Sequence, residues 1–203
     1  MNNFLIKKVI KYVKNNCDME ERWKYHLYPM SKYAIFLANK YKANKEVVIL
    51  ASWLHDITRT KGGVENHHIT GAKEAGKILA REGYARDKIN KIKSCIYSHR
   101  GSVKIKRETI EAEIVANADA LSHFEFGLIF FYNAYGDNRM TIDRGAEKII
   151  KKLKRSWHKI SLPIAKKIAR DKYLAMENIL SPFSAGSYNN YIKKLNKKLS
   201  KYN

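Results

Sequence analysis

The stretch Val47-Val48-Ile49-Leu50-Ala51-Ser52-Trp53-Leu54-His55-Asp56 decides how the rest of this chain is read. Val47, Leu50, Ala51 and Leu54 recur at three- and four-residue spacing, the period of one helix face. Asn44 stands where an N-cap belongs, just ahead of Lys45-Glu46-Val47. The apolar stripe runs out on His55, and a charged Asp56 beside it is costly to bury without a cation. The segment therefore predicts an amphipathic helix that delivers a histidine and a carboxylate towards a core.

The same period continues in both directions. Spacing predicts helices over about 2–15, 22–42, 45–58, 68–83, 86–98, 108–135, 142–157, 161–180 and 188–201. No sustained alternation of period two is bounded by turn signals, so the fold class is all-α. Gly62-Gly63, Gly83, Gly101 and Gly136 punctuate the chain at expected turns. Pro163 suits an early helix position, whereas Pro29 is expected to kink or delay its helix. No repeat or linker divides the chain. The reading is one helical body: an N-terminal helix (1–21) on the core, a central domain (22–125) and a basic helical region (126–203) completing it.

Composition narrows the class further. The chain has 203 residues, 45% hydrophobic, with 40 Lys+Arg against 19 Asp+Glu and a formal net charge of +21. That apolar share excludes a disordered polycation, and 3 Pro with 10 Gly exclude a collagenous or low-complexity chain. The lysines in residues 1–16 leave no signal-peptide pattern, and the longest apolar run, Phe126 to Gly136, is shorter than the roughly 20 residues of a membrane span. Cys17 and Cys95 have no motif around them and read as reduced thiols. The expectation is a soluble, cytoplasmic protein with no membrane partner. Residues 1–21 carry net +1, 22–125 net +8 and 126–203 net +12. The larger excess thus falls outside the segment richest in histidine.

Five of seven histidines lie between His26 and His99. His26 shares a stripe with Met30, Tyr33 and Leu37, so it faces the core. Asp119 sits inside Ile114-Val115-Ala116-Asn117-Ala118-Asp119-Ala120-Leu121, and a carboxylate in such a helix needs a partner. One divalent metal would account for His26, His55, Asp56 and Asp119 together, because imidazole and carboxylate suit borderline ions. His158, among Lys154, Arg155 and Lys159, reads as a solvated face. His123 either belongs to such a face or caps a cavity near Asp119. His67 and His68 open a helix.

The order His26, His55-Asp56, Asp119 resembles the HD-domain superfamily of metal-dependent phosphohydrolases, over roughly residues 22–125. Tyr25-His26, Ala51-Ser52-Trp53-Leu54-His55-Asp56-Ile57, His67-xxx-Gly71-Ala72, Ile96-xx-His99 and Ile114-Val115-xxx-Asp119-Ala120-Leu121-Ser122 carry the likeness in the family's order. The resemblance implies His26, His55, Asp56 and Asp119 as primary metal ligands. It implies His67 and His99 as added ligands in a two-metal site bridged by Asp56, with Asp56, His67 and His99 in the catalytic set. His68 competes for the His67 role, and the four-residue step to Gly71 favours His67. Pro29, and Asn117 where relatives often carry another aspartate, depart from the pattern.

The implied activity is hydrolysis of a phosphate ester or anhydride of a nucleotide or other small phosphorylated metabolite, through a metal-activated water. Arg59 and Arg100 are candidate substrate contacts, since a guanidinium fork matches phosphate, and Lys61 is a weaker one. Ligands without cysteine admit one or two ions of Mn, Fe, Co, Ni, Zn or Mg. A second reading is a nucleic-acid-binding HD protein or nuclease. Its basis is the tail Tyr191 to Lys201, with five lysines, no acid and a narrow Ile192, Leu195, Leu199 stripe. A third is a ligand-sensing module without turnover.

Overall fold

The computed structural model describes residues 3–17, 19–59, 66–184 and 188–202. Lys61 and the Gly62-Gly63 turn lie outside the described residues. Within them the chain is helical and contains no strand. α1 (Asn3–Asn15) buries Ile6, Val9 and Val13 against α4 (Lys45–Leu54). The predicted N-cap is present: the Asn44 side chain accepts from the Val47 N–H at 3.2 Å.

The helix carrying His26 is a composite. A three-residue α2 (Glu20–Arg22) runs through a π-helical segment (Trp23–Leu27) into α3 (Tyr28–Lys40). Pro29 was expected to kink or delay this helix, and the wide segment is how the chain accommodates it. Proline offers no N–H, and its ring would press on the carbonyl one turn earlier. The helix widens just before it, with the Tyr28 N–H bonding Trp23 O in the longer π register. His26 lies on this widened turn.

α4 stops at Leu54 rather than at 58. The cause is local. His55 Nδ1 donates to Ser52 O at 2.8 Å, taking the carbonyl that a continuing helix would offer to the Asp56 N–H. The chain then tightens into turns, Ile57 N–H to Leu54 O and Arg59 N–H to Asp56 O.

α5 (His67–Arg81) and α6 (Arg86–Ser98) pack as a pair, and α6 also packs on α4 and α7 (Ile110–Glu125). α7 is the central helix: every residue from Ile114 to Phe124 is buried. Such all-round burial, without a polar face, marks a helix enclosed by others. The helix predicted over 108–135 is broken at Phe126-Gly127, where the chain turns by 75° into α8 (Leu128–Phe131) and a π segment (Tyr132–Asp137). Glycine is a poor helix residue, which favours the break there. α9 (Ile142–Lys159) and α10 (Pro163–Leu180) return to pack on α7, with Pro163 in the first turn of α10. α11 (Tyr188–Leu199) contacts the short 3-10 turn Ser181–Ser184. Among the described residues no single helix is long and apolar enough to cross a membrane.

Candidate metal centre

The helix ends and faces described above converge on one interior point. The π segment brings His26, the turn after α4 brings His55 and Asp56, the start of α5 brings His67, the end of α6 brings His99 and the middle of α7 brings Asp119. His55 and Asp56 are 0% and 3% exposed, so bulk water does not solvate them. The candidate ligand atoms of His26, His55 and Asp119 lie within 4.8 Å of one another, and so do those of His55, Asp56 and His99.

Hydrogen bonds fix how the rings present themselves. Ser122 Oγ donates to Asp119 O and so can only accept from His26, whose Nδ1 is 2.8 Å away. His55 Nδ1 donates to Ser52 O and His99 Nδ1 to Ile96 O. A neutral imidazole carries one proton, so all three rings turn an Nε2 lone pair inward. His26 Nε2 and His55 Nε2 stand 3.1 Å apart, with the carboxylates around them: Asp119 Oδ1 is 3.4 Å and Asp56 Oδ2 3.7 Å from His26. Two facing lone pairs beside Asp119 Oδ1 and Asp56 Oδ2 bring acceptors together with no proton between the two rings. Asp56 Oδ1 is buried with no hydrogen-bond partner. This donor set fits a divalent cation.

The Asp56 carboxylate divides its oxygens between two groups. Oδ2 faces His26, His55 at 3.6 Å and Arg59 at 3.6 Å; Oδ1 faces His67 at 3.6 Å and His99 at 4.0 Å. His67, rather than His68, is the ring turned to Asp56. His68 accepts from Arg100 Nη1 at 3.3 Å and lies beside Tyr97. Arg100 is held by His68 and by Ser102 Oγ at 2.7 Å, so its guanidinium is engaged one residue layer away from the carboxylates.

Charge follows from burial and neighbours. Burial pushes His26 and His99 down to about 3, against the pull of Asp119 and Asp56, so both rings are neutral at pH 7. For Asp56 burial alone would raise the carboxyl, but His55, Arg59, His26 and His99 outweigh it and hold it well below the usual carboxylate range. Asp119 behaves alike: burial opposes ionisation, and Lys159 foremost, with His123, His26 and His55, overrides it.

Three residues at this centre come from outside the segment that the sequence singles out, or were left open by it. His123 is buried with Nε2 3.4 Å from Asp119 Oδ1, its ring stacked on His26 and its Nδ1 2.9 Å from Ser156 Oγ. Lys159 is buried and donates to Asp119 Oδ2. The half-buried Lys152 holds its ammonium over the Phe130 ring, which contacts His123. Burial lowers that ammonium to about 7, partly offset by Asp119 and reinforced by Lys159 and Arg59. The larger basic excess falls outside the histidine-rich segment in sequence, yet part of it reaches the centre in space: α9 packs on α7 and sends Lys152, Ser156 and Lys159 inward. Asn117 has a structural task, accepting from the Ser161 and Leu162 N–H groups at 3.0 Å each and so tying the α9–α10 connection to α7.

A model of the HD domain matches residues 23–123, the span that contains every ligand candidate. No curated protein matches the sequence significantly. Among solved structures, Bacillus subtilis YpgQ, crystallised in complex with ADP, is similar with a TM-score of 0.65 at 16% identity, covering 95% of this chain and 97% of its own. An HD-superfamily hydrolase from Bacillus thuringiensis gives 0.63 at 21% identity, with 89% and 95% covered. A predicted HD superfamily hydrolase from an uncultured Thermotogales bacterium gives 0.59 at 19% identity, with 89% and 91% covered. At these identities the likeness establishes the fold. Together with the domain match and the order of its His and Asp residues, it shows that this chain belongs to the HD-domain superfamily.

Proposed function

We propose that the protein is a metal-dependent phosphohydrolase acting on a nucleotide or other small phosphorylated metabolite. The observation that carries this reading is the buried convergence of inward Nε2 lone pairs on two carboxylates, one oxygen of which has no partner. His26, His55, Asp56 and Asp119 would hold one divalent ion, and His67, His99 and Asp56 a second. Bound there, a metal supplies an activated water and positive charge for phosphoryl oxygens.

The remaining work belongs to the chain. Arg59, 37% exposed in its side chain and 3.6 Å from Asp56, stands at the rim where a phosphate would arrive. Lys152 adds a second cation with no carboxylate in ion-pair contact among the described residues, and its low proton affinity lets it release or hold a proton near neutrality. Lys159 is committed to Asp119 and orients that carboxylate. The ADP in the YpgQ structure favours a nucleotide within this substrate class.

The test is a panel of nucleotides and phosphate monoesters assayed with Mn, Fe, Co, Ni, Zn and Mg, alongside elemental analysis of the purified protein. Turnover that disappears, with its metal, in the His55→Ala/Asp56→Ala variant is the expected result. Full activity in that variant would remove the reading. Tightly bound metal without turnover of any ester would point to a sensor instead.

A further inference from the structure

A groove of about 870 Å³ separates the irregular 101–107 segment from the C-terminal half of α9. Cations line both walls: Lys104, Lys106 and Arg107 on one side, Lys154, Arg155 and Lys159 on the other. Some are already committed. Arg107 donates to Glu113 Oε2 at 3.1 Å, to Ser98 O at 3.3 Å and to Lys159 O at 3.4 Å, pinning the segment to the ends of α6 and α9. Glu113, the acid that lines the groove, is neutralised by that contact and also accepts from Ser161 Oγ at 2.6 Å. Lys106 pairs loosely with Glu108 at 3.5 Å, and Lys159 is turned inward to Asp119.

Lys104, Lys154 and Arg155 remain. All three are exposed and none has an ion pair among the described residues. The negative end of α9 accounts for cations in its last turn, yet it does not account for lysines on the facing wall. Like charges held across a groove repel, and an anion between them relieves that repulsion. The walls are also firm, because Lys159 lays its stem against Gly101, where a Cβ would come within 2.9 Å of Lys159 Cδ. The volume lies in the range of small-ligand pockets, about 300–1,000 Å³, and three free cations suit several phosphates rather than one.

We propose that this groove binds a small oligophosphate, such as the phosphate chain of a nucleoside polyphosphate, at a site separate from the metal centre. Lys159 forms part of both, so the ligand would sit against the back of the residue that orients Asp119. The inference does not depend on turnover at the metal centre.

Calorimetric titration of the metal-free 203-residue chain with inorganic tripolyphosphate tests it. Saturable binding should weaken about tenfold or more in Lys104→Ala/Lys154→Ala/Arg155→Ala, since each lost charge-assisted contact is substantial. Lys154→Glu alone should shift binding the same way. Arg59→Ala and Lys152→Ala, at the metal centre, should leave it within about twofold, and added salt should weaken it steeply. The proposal fails if wild type does not bind, if the triple variant binds like wild type, or if loss follows Arg59 and Lys152 instead. It also fails if an oligonucleotide, and not tripolyphosphate, is held by these three residues.

Discussion

The ammonium of Lys159 donates to Oδ2 of Asp119, both groups buried and forty residues apart in sequence. Lys159 thereby supplies, from outside the matched HD segment, the largest favourable charge for a carboxylate that also faces His26 and His55. Removing one member of a buried pair leaves the other uncompensated, at a cost of about 3–5 kcal/mol. Lys159→Met should destabilise the metal-free protein by an amount of that order in urea titrations. With saturating divalent ion the loss should shrink, because a second cation then faces Asp119. An equal loss with and without metal would separate Lys159 from the centre.

Gly71 controls how closely α5 approaches the turn that carries His55. A Cβ on Gly71 would lie 3.1 Å from His55 O and 3.7 Å from Ile96 Cγ2. Glycine to alanine inside a helix ordinarily stabilises by about 1 kcal/mol. Here the obstacle is backbone, which cannot swing away, and overpacking costs about 1–3 kcal/mol. Gly71→Ala should therefore lower the melting temperature and weaken metal affinity together. A higher melting temperature with unchanged affinity would show that α5 can withdraw freely.

The parts of this centre legible in the sequence are those where a polar group interrupts an apolar stripe. His26 stands out because Met30, Tyr33 and Leu37 share its helix face, His55 because the stripe of Val47, Leu50, Ala51 and Leu54 runs out on it, and Asp119 because it lies inside the apolar run from Ile114 to Leu121. The helices themselves were legible for the same reason. The break at Phe126-Gly127 was not, since apolar residues continue on both sides of it. Lys152 and Lys159 were hidden by neighbours of their own kind, Lys151, Lys154 and Arg155. A signal did exist: Ser156 and Lys159 fall on the buried face with Ile149 and Leu153, where a solvated helix would place apolar residues. His123 was ambiguous because its partner Ser156 is 33 positions away.

Metal binding should itself stabilise the fold, because the six candidate ligands come from five separate segments. A ligand at one hundred times its dissociation constant adds about 2.7 kcal/mol. Divalent ions should raise the melting temperature of the wild type, and His55→Ala or Asp56→Ala should abolish the increase. Arg100→Ala should preserve it, because Arg100 contacts His68 and Ser102 rather than the carboxylates. A shift that survives loss of Asp56 would place the bound ion elsewhere.

Lys152 gives the centre a distinct dependence on pH. Burial lowers its ammonium from 10.5 to about 7, so between these values the unfolded chain holds a proton that the folded chain has released. Stability contributed through this group therefore rises with pH across that interval, and below about 7 the penalty of the buried charge is fully present. Lys152→Met removes the penalty. In metal-free protein the variant should melt above wild type at pH 6, and the difference should close as pH rises from about 7 towards 10.5. The same variant should lose turnover of the phosphate ester, since stability gained by deleting a functional charge is commonly traded against activity. Parallel melting curves for variant and wild type across this range would mean that Lys152 is solvated. In that case its placement beside Phe130 and His123 would carry no consequence for the charge at the centre.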